Sequence, residues 1–160
     1  MNCLSCGGRM TTARENVKYD AAGLPRVTLQ NVEVSRCANC GEYEVALPNL
    51  EELHRVLAAA IAKKPGRLDG SEVRFLRKFL GFSAGDFAKV IDVHPSTVSR
   101  WETGKEAMGK VTDRLLRALA IIGERVQDYP LEKFAEVAKD DAPATRYVVS
   151  SSDGEWQIPA

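Results

Sequence analysis

The stretch 82–105, FSAGDFAKVIDVHPSTVSRWETGK, leaves the chain fewer choices than any other part of it. Ser83 followed by Asp86 has the spacing of a capping box, with Asp where Glu is usual, so a helix starts there. Phe87, Ala88 and Ile91 give that helix an apolar side. Asp92-Val93 breaks the pattern, and Asp tolerates the left-handed backbone that a tight turn needs. His94-Pro95 opens a second helix, because proline at the first helical position has no useful N–H to lose. Val98 and Trp101, three apart, form its inward side, and Ser96, Thr97, Ser99 and Arg100 fall on or near the other. Gly104 ends it as a C′ residue. A second helix that projects small polar side chains and an arginine suits a DNA major groove.

Phe82-Ser83, Phe87-Ala88, Ile91, Val93, Ser96-Thr97, Val98-Ser99-Arg100, Glu102 and Gly104 stand in the register of a known motif. The stretch resembles the helix-turn-helix of Xre/Cro-type regulators. Two positions depart from that pattern. Asp92 replaces the usual turn glycine, and Ala84 stands where the family often has a phosphate-touching glutamine. The bland alternative is an αα-hairpin within a helical bundle. The candidate DNA-binding residues are Ser83, His94, Ser96, Thr97, Ser99, Arg100 and Lys105.

All four cysteines lie near the N-terminus, as Cys3-Leu-Ser-Cys6-Gly-Gly and Cys37-Ala-Asn-Cys40-Gly-Glu. Each pair is a C-x-x-C followed by glycine, which places two sulfurs on one tight turn. Two such knuckles supply four thiolates for one tetrahedral ion, so Cys3, Cys6, Cys37 and Cys40 are read as ligands of one structural Zn2+ per chain, with iron the lesser alternative. A disulfide framework competes weakly, since no secretion signal is present. With all four positions filled by sulfur, the metal serves folding and leaves no site for a catalytic water. Between the knuckles, 16–19, 26–29 and 32–36 read as strands around a turn at 20–25, with Asn31 as a turn or bulge. So few residues bury little apolar surface, and the metal takes the place of a large core.

A helix follows over 48–64 with Leu50, Leu53, Leu57 and Ile61 as its inward stripe. His54 reads as a surface or satisfied residue rather than a ligand. Pro65-Gly66 stops this helix, and the basic stretch around 63–70 reads either as a connector that lets two domains reorient and can follow a phosphate backbone or simply as a solvated link. Ser71 is then expected to cap a helix with Val73, Leu76 and Leu80 inward and Gly81 at its close. Phe75 and Phe79 fall off that stripe, so they close the domain interface or meet another subunit; Arg74, Arg77 and Lys78 beside them could reach phosphate. The span 112–122 reads as a helix with Leu115, Leu116, Leu119 and Ile122 buried, and Lys110 as a further backbone contact. A short helix is expected over 131–138, and 146–150 with 155–158 read as a hairpin turning at Asp153-Gly154. The fold class is thus α+β: a zinc-bound β-domain with a helix at 1–64, a linker at 65–70, an all-α helix-turn-helix domain at 71–122 and an extension at 123–160.

Formal charge balances to +0 over 160 residues, which alone argues against nucleic acid, but the distribution is uneven. Residues 71–122 carry nine Lys/Arg against six Asp/Glu, and 123–160 carry four against eight. The basic excess therefore sits on the helix-turn-helix, and it is modest enough that DNA affinity should rest on a paired site. No apolar run is long enough for a membrane span, and the chain reads as cytoplasmic.

Taken together, the CxxCG…CxxCG domain, helical connector and Xre-type motif resemble the MqsA/YgiT-type antitoxins over roughly residues 1–122. That resemblance implies a homodimer held through the C-terminal domain, repression of its own operon at a palindromic double-stranded operator, and a zinc domain that neutralises a toxin, typically a ribonuclease. It also implies that Arg100 reads bases, while Ser96 stands where the family uses an asparagine. Another reading is a stand-alone Xre-type regulator whose cysteines are structural or sense metal or oxidants. No nucleophile, base and orienter converge in the sequence, so an enzyme is not expected.

Overall fold

The computed structural model describes residues 1–122, 135, 150–152 and 155–157. The fold is α+β, as expected. An antiparallel sheet of order β1-β2-β3 comprises β1 (Met10–Lys18), β2 (Thr28–Cys37) and β3 (Tyr43–Val45). Five helices follow: α1 (Leu50–Lys63), α2 (Gly70–Phe79), α3 (Ala84–Val90), α4 (Pro95–Glu102) and α5 (Lys110–Ile122). Strands β4 (Ser150–Ser152) and β5 (Glu155–Gln157) pair with Ser152 opposite Glu155, which leaves two residues between them as the hairpin reading requires. The Asp153-Gly154 turn itself lies outside the described residues, as does the helix expected over 131–138 except for residue 135.

Strand β1 begins six residues earlier than its alternation signals, and β3 was not foreseen. Residues 10–15, Met-Thr-Thr-Ala-Arg-Glu, are mostly exposed, so they carry no apolar alternation. Their strand state comes from the ladder to β2, which runs from Met10↔Cys37 to Lys18↔Thr28. Asn31 is the bulge: two residues lie between Leu29 and Val32 on β2, and one between Glu15 and Val17 opposite. The extra residue keeps both apolar pairs in phase. Asn31 adopts φ 57, and its N–H donates to Asn16 Oδ1 at 3.1 Å.

The β1–β2 loop reaches into the helices. Leu24 is buried among α1 and α2 residues, Tyr19 Oη and His54 Nε2 lie 3.1 Å apart, and Arg26 bonds Asp69 at 2.7 Å. His54 also meets the edge of Phe75 at 5.7 Å, and Phe75 stacks on Phe79 at 6.4 Å. The off-stripe phenylalanines thus close the seam between ribbon and helices, and His54 is a satisfied seam residue.

Helix α1 buries only part of the edge expected: Leu57 and Ile61 of the leucine stripe pack against the core, but the fully buried residues lie beside them. Ala58 and Ala62 are its buried residues, Leu57 and Ile61 flank them, and Leu50 is exposed. Small side chains let α1 approach α2 and α5 closely, so the contact centres on alanine rather than on the leucine stripe. Asp69, not Ser71, caps α2: its carboxylate accepts from Glu72 N–H, and Glu72 accepts from Asp69 N–H at 2.8 Å. Ser71 Oγ instead donates to Asp69 at 2.6 Å. Gly70 opens α2 because a Cβ there would strike the carbonyl oxygens of Trp101 and Glu102.

The connector is held. Arg117 on α5 donates to the carbonyls of Lys64 and Gly66, each at 2.5 Å, and Asp113 accepts from Leu68 N–H at 2.9 Å. Arg67 donates to Met108 O at 2.6 Å, and Leu68 is buried. The reorientation expected of this stretch would have to break those bonds. On α5 itself Leu116 and Ala120 are buried, but Leu115 and Ile122, expected inside, are exposed.

Candidate metal centre and nucleic-acid interface

The two knuckles are built alike. Gly7 N–H donates to Cys3 O at 2.9 Å and Gly41 N–H to Cys37 O at 3.0 Å, with φ 71 and 77 at the glycines. Cys3 N–H donates to Gly8 O and Cys37 N–H to Glu42 O, both at 2.8 Å. Positive φ makes glycine the residue for each closing position. The first cysteine of each pair is buried and the second exposed. The ladder from Met10↔Cys37 brings the knuckles together, and all four Sγ atoms lie within 4.8 Å of one another.

The donor set fits zinc. Four sulfurs bound at about 2.3 Å around a tetrahedral ion lie about 3.8 Å apart; here Cys3–Cys40 is 3.6 Å and Cys6–Cys37 is 3.4 Å. The N–H groups of Cys40 and Asn39 pull the Cys37 thiol down to about 6. Cys40 is lowered by Glu42 N–H, but the sulfurs of Cys6, Cys3 and Cys37 outweigh that and drive it up to about 12. One thiolate forms readily and opposes the ionisation of its neighbours, an opposition that a dication removes.

At the other end, Ser83 caps α3: its Oγ accepts from Asp86 N–H at 3.0 Å and donates to the Asp86 carboxylate at 2.6 Å. The shorter Asp thus turns to the hydroxyl. Asp92 adopts φ 55 and Gly104 φ 73, the left-handed positions expected of the turn and the helix end. His94 caps α4, with Pro95 in its first turn. Ser96 N–H donates to His94 Nδ1 at 3.2 Å; with that nitrogen accepting, the Ser96 hydroxyl also donates to it, at 2.7 Å. Val98 and Trp101 are buried, Ser96, Ser99 and Arg100 are exposed opposite them, and Thr97 is intermediate at the side. Arg100 Nε donates to Glu106 at 2.8 Å and Nη2 to Thr97 Oγ1 at 3.1 Å. Lys105 is exposed in the loop beyond, and its N–H donates to Arg100 O at 2.9 Å. Ser83 belongs to the preceding helix, so six of the seven candidates gather on α4 and its flanks.

Sequence reasoning missed the polar frame behind α4. Arg77 is buried, with Nε on Glu102 at 2.5 Å and Nη1 on Phe82 O at 2.7 Å, and Arg74 bonds the same carboxylate at 3.0 Å. Buried Arg77 is therefore committed to Glu102 and not held ready for phosphate, while Arg74 is half exposed at the rim. Glu102 already stood in the motif register, which was the available signal.

Fold and site define a class: a helix-turn-helix domain of the DNA-binding transcription regulators, joined to a four-cysteine cluster that fits zinc. Residues 73–121 match the HTH_3 family model, described as Helix-turn-helix. No curated protein and no solved structure matches the chain. No helix among the described residues is long and apolar enough to cross a membrane.

Proposed function

We propose that this protein is the antitoxin of a type II toxin–antitoxin pair: a binding protein, not an enzyme, that represses its own operon and neutralises a partner toxin, a ribonuclease by the resemblance above. One observation carries the reading: the two ends of the molecule expose different chemistries. On α4, Ser96, Ser99 and Arg100 face solvent, with Lys105 beyond them, as a DNA reader requires. At the metal end, Leu4 is 93% and Tyr43 54% exposed, which suits a protein partner. The outward side of α5 adds Val111, Leu115, Ala118 and Ile122 at helical spacing, all exposed, which suits a second copy and hence a palindromic operator. Zinc, one per chain, holds the ribbon through Cys3, Cys6, Cys37 and Cys40.

Co-expression with the product of the adjacent gene tests this reading. The expected result is a stable complex in which toxicity is lost and DNA upstream of the operon is bound. DNA binding with no adjacent toxic product favours the stand-alone regulator, a reading supported by the exposure of Cys6 and Cys40 to metal or oxidant.

A further inference from the structure

Most arginines of the described residues are matched by a carboxylate. Arg26 pairs with Asp69, Arg36 with Glu15, Arg55 with Glu51 and Glu52, Arg74 and Arg77 with Glu102, and Arg100 with Glu106. Arg9 and Arg14 on the ribbon have no carboxylate at ion-pair distance among the described residues, but one concavity gathers several unmatched cations together. The connector before α2 and the first two turns of α5 enclose a cavity of about 260 Å3 that Arg67, Lys110 and Arg114 line. Among the described residues, none of these three has a carboxylate at ion-pair distance. The cavity's acid, Asp113, is engaged elsewhere: it accepts from Leu68 N–H at 2.9 Å and from Arg117 Nε at 2.6 Å, which also neutralises Arg117. Three uncompensated cations therefore face one hollow.

The arrangement is built rather than accidental. Arg67 is fixed by its bond to Met108 O at 2.6 Å, which leaves its other N–H groups uncommitted. Lys110 begins α5, where the helix dipole adds positive potential. A concave wall of one sign concentrates field and attracts a counter-ion. Its place in the fold narrows the choice of anion. Met108 lies in the loop leaving α4, and Gly70, three residues after Arg67, abuts the carbonyls of Trp101 and Glu102 at the C-terminal end of α4. A duplex that receives α4 in its major groove brings the phosphates of the groove wall against the elements bordering that helix.

We propose that Arg67, Lys110 and Arg114 seat a backbone phosphate flanking the groove that α4 reads, so that the connector before α2 is part of the DNA interface. The proposal rests on the DNA-binding reading above. It is tested on the full chain by titrating a duplex from upstream of its own operon, and a scrambled duplex, across a series of salt concentrations. Arg114→Gln and Lys110→Gln are the variants, singly and together, because neither side chain has a hydrogen-bond partner among the described residues; Arg55→Gln on α1 removes the same charge elsewhere. The double variant is expected to weaken both duplexes by the same factor and to lower the slope of log affinity against log salt by about 0.9, the value for one phosphate. Arg55→Gln is expected to leave the slope unchanged. Wild-type slopes in the double variant, or an equal loss in Arg55→Gln, overturn the seat and leave the DNA-binding reading standing. Wild-type protein that binds neither duplex overturns both.

Discussion

Arg77 on α2 and Glu102 at the end of α4 meet at 2.5 Å, with side chains only 7% and 6% exposed. The pair ties the first helix of the DNA-binding domain to the end of the recognition helix, and Arg74 braces it from the rim. An Arg–carboxylate pair withdrawn from water contributes chiefly by not being broken, since removing one partner leaves an uncompensated charge.

Glu102→Gln is therefore expected to destabilise the domain by about 3 kcal/mol at neutral pH. Burial raises the Glu102 pKa, but the bonds from Arg77 and Arg74 outweigh that and hold it below the ordinary carboxylate range. Because the folded value is the lower one, the pair's stabilisation is complete above the unfolded value of about 4.3 and is lost as pH falls through the folded value. The gap between wild type and Glu102→Gln in denaturant unfolding should then shrink between neutral pH and strongly acidic pH. A gap that stays constant over that range contradicts the assignment.

At the metal centre, Cys3, Met10 and Cys37 form a separate small buried cluster, too little to hold the knuckles without an ion. Elemental analysis is expected to return one zinc per chain. Ser at any of Cys3, Cys6, Cys37 or Cys40 should release it and melt the knuckle end, while helical circular dichroism persists because the helices share their own core. Protein without metal that keeps protected knuckle amides in hydrogen exchange would sink this prediction.

What could be read ahead of the structure was local. Ser83, Asp92, Pro95 and Gly104 each do one thing within a few residues, and each does what its type and spacing imply. The CxxCG repeats are equally local. What escaped depends on partners far along the chain. The exposed half of β1 is a strand only because β2 lies beside it. Ser71 and Asp69 are both good caps; Glu72, three residues after Asp69, is a local signal that favours Asp69 by completing a capping box, and Arg26, from forty-three residues away, adds its bond to the same carboxylate. Leucine spacing on α1 pointed to Leu50, but close approach to α5 selects Ala58 and Ala62. The pairing of Arg77 with Glu102 has no sequence signature beyond the two charges and the place of Glu102 in the helix-turn-helix register.

Arg117 gives the connector its rigidity. Its guanidinium reaches the carbonyls of Lys64 and Gly66 and the buried carboxylate of Asp113. Arg117→Met strands that carboxylate and two carbonyls, at a cost of about 3 kcal/mol. Limited trypsin digestion should then cut at Lys63 or Arg67 far faster than in wild type; Lys64 is followed by Pro65 and is not a trypsin site. Unchanged cleavage with normal stability would show that the connector does not depend on this clamp.

The last expectation concerns base reading by Arg100. Its bond to Glu106 joins two side chains each 48% exposed, so it contributes only about 0.2–1 kcal/mol and breaks readily. Thr97 Oγ1 steadies Nη2 at 3.1 Å, which keeps the guanidinium extended along the outer face of α4. Two parallel N–H donors from that position match guanine O6 and N7, the commonest specific contact. Arg100→Ala should cost about 1–3 kcal/mol on the operator and little on scrambled DNA. Lys105→Ala, lacking base contacts, should weaken both alike and lower the salt slope by roughly one. Trp101→Ala should act differently again, destabilising the domain by about 3–5 kcal/mol, because that ring is core. Glu106→Gln removes a negative charge beside the duplex and the hold on Arg100, so binding to both DNAs should tighten. Titrations of the four variants on operator and scrambled duplexes at two salt concentrations separate these effects. Equal weakening of both duplexes by Arg100→Ala would make Arg100 a phosphate contact, and sequence reading would then have to come from elsewhere on α4.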